Sequence, residues 1–250
     1  MLNLTHKKIV VTGAAQGNGE AIAKGLAALG ATVILADLNQ EKLQRVQADI
    51  QATGQQAYCY GLNVADPEAC VAFADTLRAE VGDIDVLVNN AGILRRGNLE
   101  SDSWFKDFED TLSVNVKGSY CLIHALLESL KRTQGNIVNV ASIQSFVAAT
   151  TATSYAVSKG AVAQMTKTLA AELAKYKIRV NAIAPGVIET PMTEFTRSNQ
   201  SILEGYLRHV PLNRTGQPQE LVGPVAFLCS DAASYVTGCI LPVDGGYLTV

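Results

Sequence analysis

Tyr155 and Lys159 stand four residues apart near the start of SYAVSKGAVAQMTKTLAAEL, a run from Ser154 to Leu173 that is rich in Ala, Val, Met and Leu and has no proline. Residues four apart share one side of a helix, so a phenol and an ammonium can point together into one cleft. A free phenol, with a pKa of about 10, is a poor base at neutral pH. A neighbouring ammonium favours the phenolate. Bringing the phenol to neutrality takes roughly 4 kcal/mol of differential stabilisation, at about 1.4 kcal/mol per pH unit. Such a pair can move a proton to or from a substrate oxygen. The alternative is a half-buried ring beside the aliphatic stem of a snorkelling lysine.

A second stretch with chemical potential is TGAAQGNG, which supplies Gly13, Gly17 and Gly19. A glycine-rich turn that opens a helix presents free backbone N–H groups, and the helix dipole adds partial positive charge. A pyrophosphate fits there. The spacing is G-x-x-x-G-x-G and not G-x-G-x-x-G, so a plain tight turn is the alternative; its place between a first strand and a first helix favours the phosphate reading. Asp37 ends the next β-rich run, 18 residues beyond Gly19. A carboxylate there can accept hydrogen bonds from the ribose hydroxyls of adenosine and would repel a 2′-phosphate. Gln16 and Leu38, the neighbours that could greet a phosphate, are not basic. NAD(H) is therefore expected over NADP(H). Asp37 can also be read as a loop acid or helix N-cap, a role for which Asn39 competes.

These residues need a frame. Short β-rich runs at 8–13, 32–37, 56–62, 84–90, 135–142, 178–185 and 239–245 have nearly continuous apolar faces, as in a parallel sheet buried on both sides. Helical patterns lie between them at 17–29, 40–52, 67–81, 102–131 (broken near Thr111 to Ser113), 153–175 and 217–229. Alternating βαβ units predict a doubly wound, mostly parallel seven-stranded sheet with helices on both faces, a Rossmann-type α/β fold. One dinucleotide-binding and catalytic domain is expected over 1–250, with the long irregular stretch 190–215 as a substrate lid.

Composition narrows the function classes. Of the 250 residues 48% are hydrophobic and 17% charged, and the net charge of -3 argues against a nucleic-acid footprint. The five cysteines, Cys59, Cys70, Cys121, Cys229 and Cys239, are scattered singly, and there are three histidines. Neither a disulfide framework nor a metal site is expected. No apolar run reaches membrane-spanning length, the apolar run after the N-terminal basic residues reads as a strand rather than a signal peptide, and a reducing cytoplasm is the expected compartment.

In order along the chain, these motifs closely resemble those of the short-chain dehydrogenase/reductase family. TGAAQGNG is similar to the family's TGxxxGxG cofactor loop, and NNAG, residues 89–92, to its motif after the fourth strand. Asn115 in SVNVKG falls at the family's catalytic Asn, Ser142 in VASIQS at its Ser, and SYAVSK matches its YxxxK pair. PGVIET resembles the segment that grips the nicotinamide carboxamide. Alone, Ser142 reads as a strand-end hydroxyl and Asn115 as a helix-kink amide. Two positions depart from the pattern: Asn18 stands where Ile or Leu is usual, and Asn63 in LNVAD where Asp is frequent.

The resemblance implies hydride transfer between NAD(H) and a ketone or secondary alcohol. Tyr155 would exchange the proton, Ser142 would hold the carbonyl oxygen, Lys159 would also bond the nicotinamide ribose, and Asn115 would position a water. Expected at the cofactor are Gly13, Gln16, Gly17, Asn18, Gly19, Asp37, Leu38, Asn63, Val64, Asn90, Ala91, Gly92, Tyr155, Lys159, Pro185, Gly186, Ile188 and Thr190. Ser142, Gln144, Phe146, Tyr155, Leu94 and Met192 are expected at the substrate, with Ile93, Ile188, Phe195 and Tyr206 nearby. Most of that set is apolar, as suits a medium-sized ketone, and Gln144 leaves room for a hydroxylated one. Arg95 and Arg96 could meet an anionic group or be two solvated loop arginines. A polyol or sugar dehydrogenase and a 3-oxoacyl-thioester reductase are the alternatives within the family. A nucleotide sensor that lost its chemistry would be expected to lack part of the tetrad. The apolar circumference of 153–175 leaves a face in need of cover, and the resemblance, in which this helix and its predecessor form a dimer interface and the C-terminal CILPVDGGYLTV completes the assembly, implies a homotetramer.

Overall fold

Alternation along the strands decides which helices cover which face. The computed structural model describes residues 2–148 and 150–250. In β1 (Lys8–Thr12) and β2 (Thr32–Asp37), Ile9, Val11, Val33 and Leu35 pack on one side of the sheet and Val10 and Ile34 on the other. The first side is covered by Ile22 and Leu26 of α1 (Gly17–Ala28), Leu43 and Val46 of α2 (Gln40–Gln51), and Val225 of α9 (Val222–Cys229). The second is covered by Phe73 and Leu77 of α3 (Pro67–Glu80), Leu122 and Leu126 of α5 (Ser119–Thr133), and Leu169 and Leu173 of α6 (Thr153–Leu173).

The remaining strands are β3 (Ala57–Gly61), β4 (Val86–Asn89), β5 (Asn136–Val140), β6 (Arg179–Pro185) and β7 (Ile240–Val243). All seven run parallel in the order β3-β2-β1-β4-β5-β6-β7. The chain order reverses between β1 and β4. At such a switch point the loops leaving two neighbouring strands diverge and open a crevice at the carboxyl ends of the strands.

Local chemistry sets the helix ends. Asn39 caps α2 through the N–H of Lys42, and Asp66 caps α3 through the N–H groups of Glu68 and Ala69, with Pro67 in the first turn. Two helix expectations are corrected. The helix expected over 102–131 does not break near Thr111. It runs as α4 (Trp104–Leu112), widens into a π-helical turn over Ser113–Gly118, and continues as α5. Such a turn adds one residue per loop of helix and re-aims what it carries, here the buried Asn115. The helix expected over 217–229 begins as a 3₁₀ turn, Pro218–Leu221, before α9, because Pro224 has no N–H to bond the carbonyl of Glu220. The stretch 190–215, expected to be a loop with room for a short helix, holds a 3₁₀ turn, Pro191–Thr193, that leads into α7 (Glu194–Ser198) and α8 (Gln200–Leu207). Among the described residues, no helix is long and apolar enough to cross a membrane.

Candidate active site

The crevice at the switch point is a cleft of about 320 Å³. Its floor is the glycine loop. Gly13 and Gly17 have φ of +64° and +58°, a region in which a Cβ is strained. A Cβ on Gly19 would overlap the carbonyl of Gly13, and one on Gly13 would come within 2.9 Å of Asn90 Nδ2. The loop is therefore bare backbone, shaped for close approach by a phosphate. Asn90 locks it to β4: its Nδ2 donates to the carbonyls of Thr12 (2.8 Å) and Gly13 (3.2 Å), while the N–H groups of Asn90 and Ala91 donate to Thr12 Oγ1.

At the other end, Asp37 faces the cleft and also braces it. Its Oδ2 accepts from the N–H of Ala15 (3.1 Å) and its Oδ1 from that of Asn39 (2.9 Å). The two readings of Asp37, ribose partner and loop acid, are thus compatible in one geometry. Asn63 also lines this end, with its Oδ1 accepting from the N–H of Ala65. Sequence reasoning missed Lys42. Its Nζ donates to Gln16 Oε1 at 2.7 Å, which sets a cation at the same rim. The signal was its place three residues past the Asn39 cap, where the first turn of α2 brings it back over the glycine loop.

The tetrad candidates gather at the opposite end. Ser142, the cap of a 3₁₀ turn over Ile143–Ser145, accepts from the N–H of Gln144 at 3.2 Å, which leaves its own proton free to be donated. Tyr155 lies on the first turn of α6, its ring partly exposed and its hydroxyl end enclosed. Lys159, one turn on, is buried; its Nζ donates to the Val140 carbonyl at 2.7 Å and lies 5.5 Å from the centre of the Tyr155 ring. Asn115 does not line the cleft. Its Oδ1 accepts from the Ile93 N–H, and its Nδ2 donates to the Ile93 carbonyl and to Ser158 Oγ. Only Gly92 separates it from Lys159: a Cβ there would lie 3.1 Å from Asn115 Oδ1 and 3.6 Å from Lys159 Nζ.

The electrostatics depart from simple pairing. Burial pushes the Tyr155 phenol up to about 12, opposed only by the Ser142 hydroxyl, and burial pulls the Lys159 ammonium down to about 8. In the protein alone, desolvation outweighs the help that the ammonium was expected to give the phenolate. Among the described residues no carboxylate pairs with Lys159, so its buried charge is costly. The unfolded chain keeps that proton up to about 10.5 and the folded chain releases it near 8. Between those values the unfolded state binds more protons, so this group's contribution to stability rises with pH. Lys159→Met is therefore expected to abolish turnover and to raise Tm at pH 7 by about 2–4 °C, the shift that about 1 kcal/mol gives in a chain of this size. The gain over wild type should shrink between pH 8 and 10. Thermal unfolding at pH 7 and pH 10 tests this, and a Met variant that melts below wild type at pH 7 would contradict it.

Every residue expected at the cofactor lines the cleft. On the substrate side Ser142, Tyr155, Ile93, Ile188 and Met192 line it, and Leu94, Gln144, Phe146 and Phe195 do not. Gln144 is nonetheless suggestive, because its Oε1 is buried without a hydrogen-bond partner. Tyr206 borders a different cavity, behind the Pro185–Thr190 segment. Arg95 is half exposed, 4.0 Å from Asp110. Arg96 lies over the Phe195 ring and donates to Thr196 Oγ1 at 2.8 Å, joining the Ile93 loop to α7. The cleft also uses Ala36, Leu62, Val140 and Ala141, at or just beyond strand ends. The rule that ligands sit at the carboxyl ends of parallel strands would have found them.

A family model described as enoyl-(acyl carrier protein) reductase matches residues 13–248. With its fold, its motifs and this match, the chain belongs to the short-chain dehydrogenase/reductase family and is an NAD(P)-dependent oxidoreductase acting on CH–OH. A gluconate 5-dehydrogenase of Gluconobacter oxydans is 37% identical to it over 98% of this chain and 96% of its own. A 3-oxoacyl-[acyl-carrier-protein] reductase of Thermotoga maritima is 39% identical over 98% and 99%. Among solved structures, a gluconate 5-dehydrogenase of Burkholderia cenocepacia in complex with NADP and tartrate superposes with a TM-score of 0.96 at 34% identity, covering 100% of this chain and 98% of that one.

Proposed function

We propose that the protein interconverts a polyhydroxylated carboxylic acid, of the sugar-acid class, and its keto form, with NAD(H) preferred as cofactor. The observation that carries the reading is the continuity of one cleft from the glycine loop to Ser142, Tyr155 and Lys159. Pro185, Gly186, Ile188 and Thr190 would hold the nicotinamide end of the cofactor, whose chemistry when bound would be to give or take a hydride. In reduction Tyr155 gives its proton to the carbonyl oxygen, which Ser142 also hydrogen-bonds as charge develops there. Lys159, one turn along α6, would hold the nicotinamide ribose and, with the cofactor bound, would help the Tyr155 phenolate against the cost of burial. Asn115 acts through its grip on Ile93 and its neighbourhood with Lys159. Oxidation runs the same steps backwards.

Two groups support the acid. Gln144, whose backbone N–H donates to Ser142 Oγ, has a side-chain oxygen that is buried without a partner among the described residues and suits a hydroxyl donor. Arg95 and Arg197 each face a carboxylate, whereas Arg96 has none among the described residues and is held at the edge of the 190–215 lid. The gluconate-named relatives agree with that chemistry. Arg96→Gln is expected to raise KM for 5-ketogluconate at least tenfold and to leave KM for a neutral cyclic ketone within about twofold. Equal effects on both substrates, or none on either, would sink the acid reading.

A 3-oxoacyl thioester is the second reading, favoured by the apolar Ile93, Ile188 and Met192 along the wall and by the Thermotoga relative. The exposed Phe105, Tyr120 and Val157 of α4, α5 and α6 support self-association, for which we propose a homotetramer. Light scattering at the mass of one chain would overturn that assembly.

A further inference from the structure

Tyr206 is expected from sequence at the substrate, yet it faces away from the cleft, and its contacts assign it another task. Its hydroxyl accepts the N–H of Val187 at 2.9 Å. That N–H belongs to the segment whose Pro185, Gly186, Ile188 and Thr190 line the cofactor cleft. A Cβ on Gly186 would come within 2.5 Å of the Tyr206 oxygen, so Gly186 is bare where the hydroxyl docks. The Tyr206 ring stacks on Tyr247 of the C-terminal turn, with centroids 5.0 Å apart and planes 15° from parallel.

Both ends of the 190–215 stretch are tied to the same place. The Gly216 N–H donates to the Val187 carbonyl, the Glu189 N–H to the Gly216 carbonyl, and Thr215 Oγ1 to Glu189 Oε1. Between these ties, α8 is joined back to the segment through Tyr206. The cavity of about 330 Å³ that Tyr206 borders, with Leu212, Pro242 and Gly245, gives its ring room to move.

We propose that Tyr206 is a positioning residue, a latch that holds α8 of the lid against the Pro185–Thr190 wall, so that lid closure and the nicotinamide end of the cofactor site are set together. The proposal rests on reading 190–215 as a lid and not on the identity of the substrate. Without the hydroxyl, the Val187 N–H loses its partner and the wall and α8 loosen together.

The test uses the whole protein and two variants. Tyr206→Phe keeps the ring on Tyr247 and removes only the latch, whereas Tyr247→Leu removes the stack and keeps the hydroxyl. In Tyr206→Phe, amide hydrogen exchange should speed up at least tenfold at Val187 and across Glu194–Leu207, with the sheet unchanged, and the Kd for NADH should rise at least threefold. Tyr247→Leu should lower Tm more than Tyr206→Phe does and raise that Kd less. A purely structural Tyr206 would reverse the order, with the larger packing loss causing the larger change in Kd. Unchanged exchange at Val187, or an unchanged Kd in Tyr206→Phe, would overturn the latch. Neither readout involves the oxidised or reduced acid, so a failure here is distinct from a failure of the substrate reading.

Discussion

Tyr155→Phe is expected to lower kcat by at least about a thousandfold, within the range that a positioned general acid–base contributes, and to leave the Kd for NADH within about twofold. On the proposed reading the ring only packs at the cleft wall and the hydroxyl exchanges the proton, so the variant should fold and bind. The direction of the Tyr155 shift adds a second expectation. A phenol pushed up to about 12 is protonated at neutral pH and ready to act as an acid. Ketone reduction should therefore be supported at neutral pH, whereas alcohol oxidation, which needs the phenolate, should quicken as pH rises from 7 to 10. Parallel kcat profiles in the two directions check this. A Phe variant that kept a tenth of wild-type turnover would remove Tyr155 from the chemistry.

The second large effect concerns the cofactor. Wild type should favour NADH over NADPH at least tenfold in kcat/KM, about 1.4 kcal/mol, because a 2′-phosphate would meet the Asp37 carboxylate. Lys42, whose Nζ donates to Gln16 at the same rim, is expected to soften that preference. Asp37→Ser with Leu38→Arg should narrow or reverse it. The Leu38 side chain is 72% exposed, so an Arg there is free to take a phosphate bidentately, and a Ser at 37 can still accept one of the two backbone N–H groups that Asp37 now holds. Steady-state titrations with both cofactors on one substrate give the ratio. Equal use of NADH and NADPH by wild type would mean that Asp37 does not address the ribose.

Much of this was legible before any fold was drawn, and the reasons are particular. Strand and helix periods differ enough that all seven strands were read within two residues of their ends. The glycine loop was legible because its three glycines are demanded by backbone geometry, and Tyr155 with Lys159 because four-residue spacing on a helix is a geometric statement. The π turn that carries Asn115 was not legible, because it has no local propensity signature; a Cβ on Gly118 within it would come within 2.9 Å of Val64. The cost of burial in the protein alone was not legible, because burial is a tertiary property. Lys159 reads from sequence as a stabiliser of phenolate, yet its own desolvation dominates its pKa. The lid side chains were least legible. Tyr206 and Phe195 belong to helices of eight and five residues, too short to show a face, and which way each points is decided by Tyr247 and Arg96, which are distant in sequence.

The central claim is hydride transfer at a hydroxylated carbon of an acid, with the proton passing through Tyr155. It is tested most directly by turnover of the purified protein on 5-ketogluconate with NADH, beside a neutral ketone and a 3-oxoacyl thioester, in wild type and in Tyr155→Phe. The account predicts NADH oxidation with the keto acid at a higher kcat/KM than with either alternative, abolished in the Phe variant. A higher kcat/KM on the thioester, or keto-acid turnover that survives in Tyr155→Phe, would contradict it.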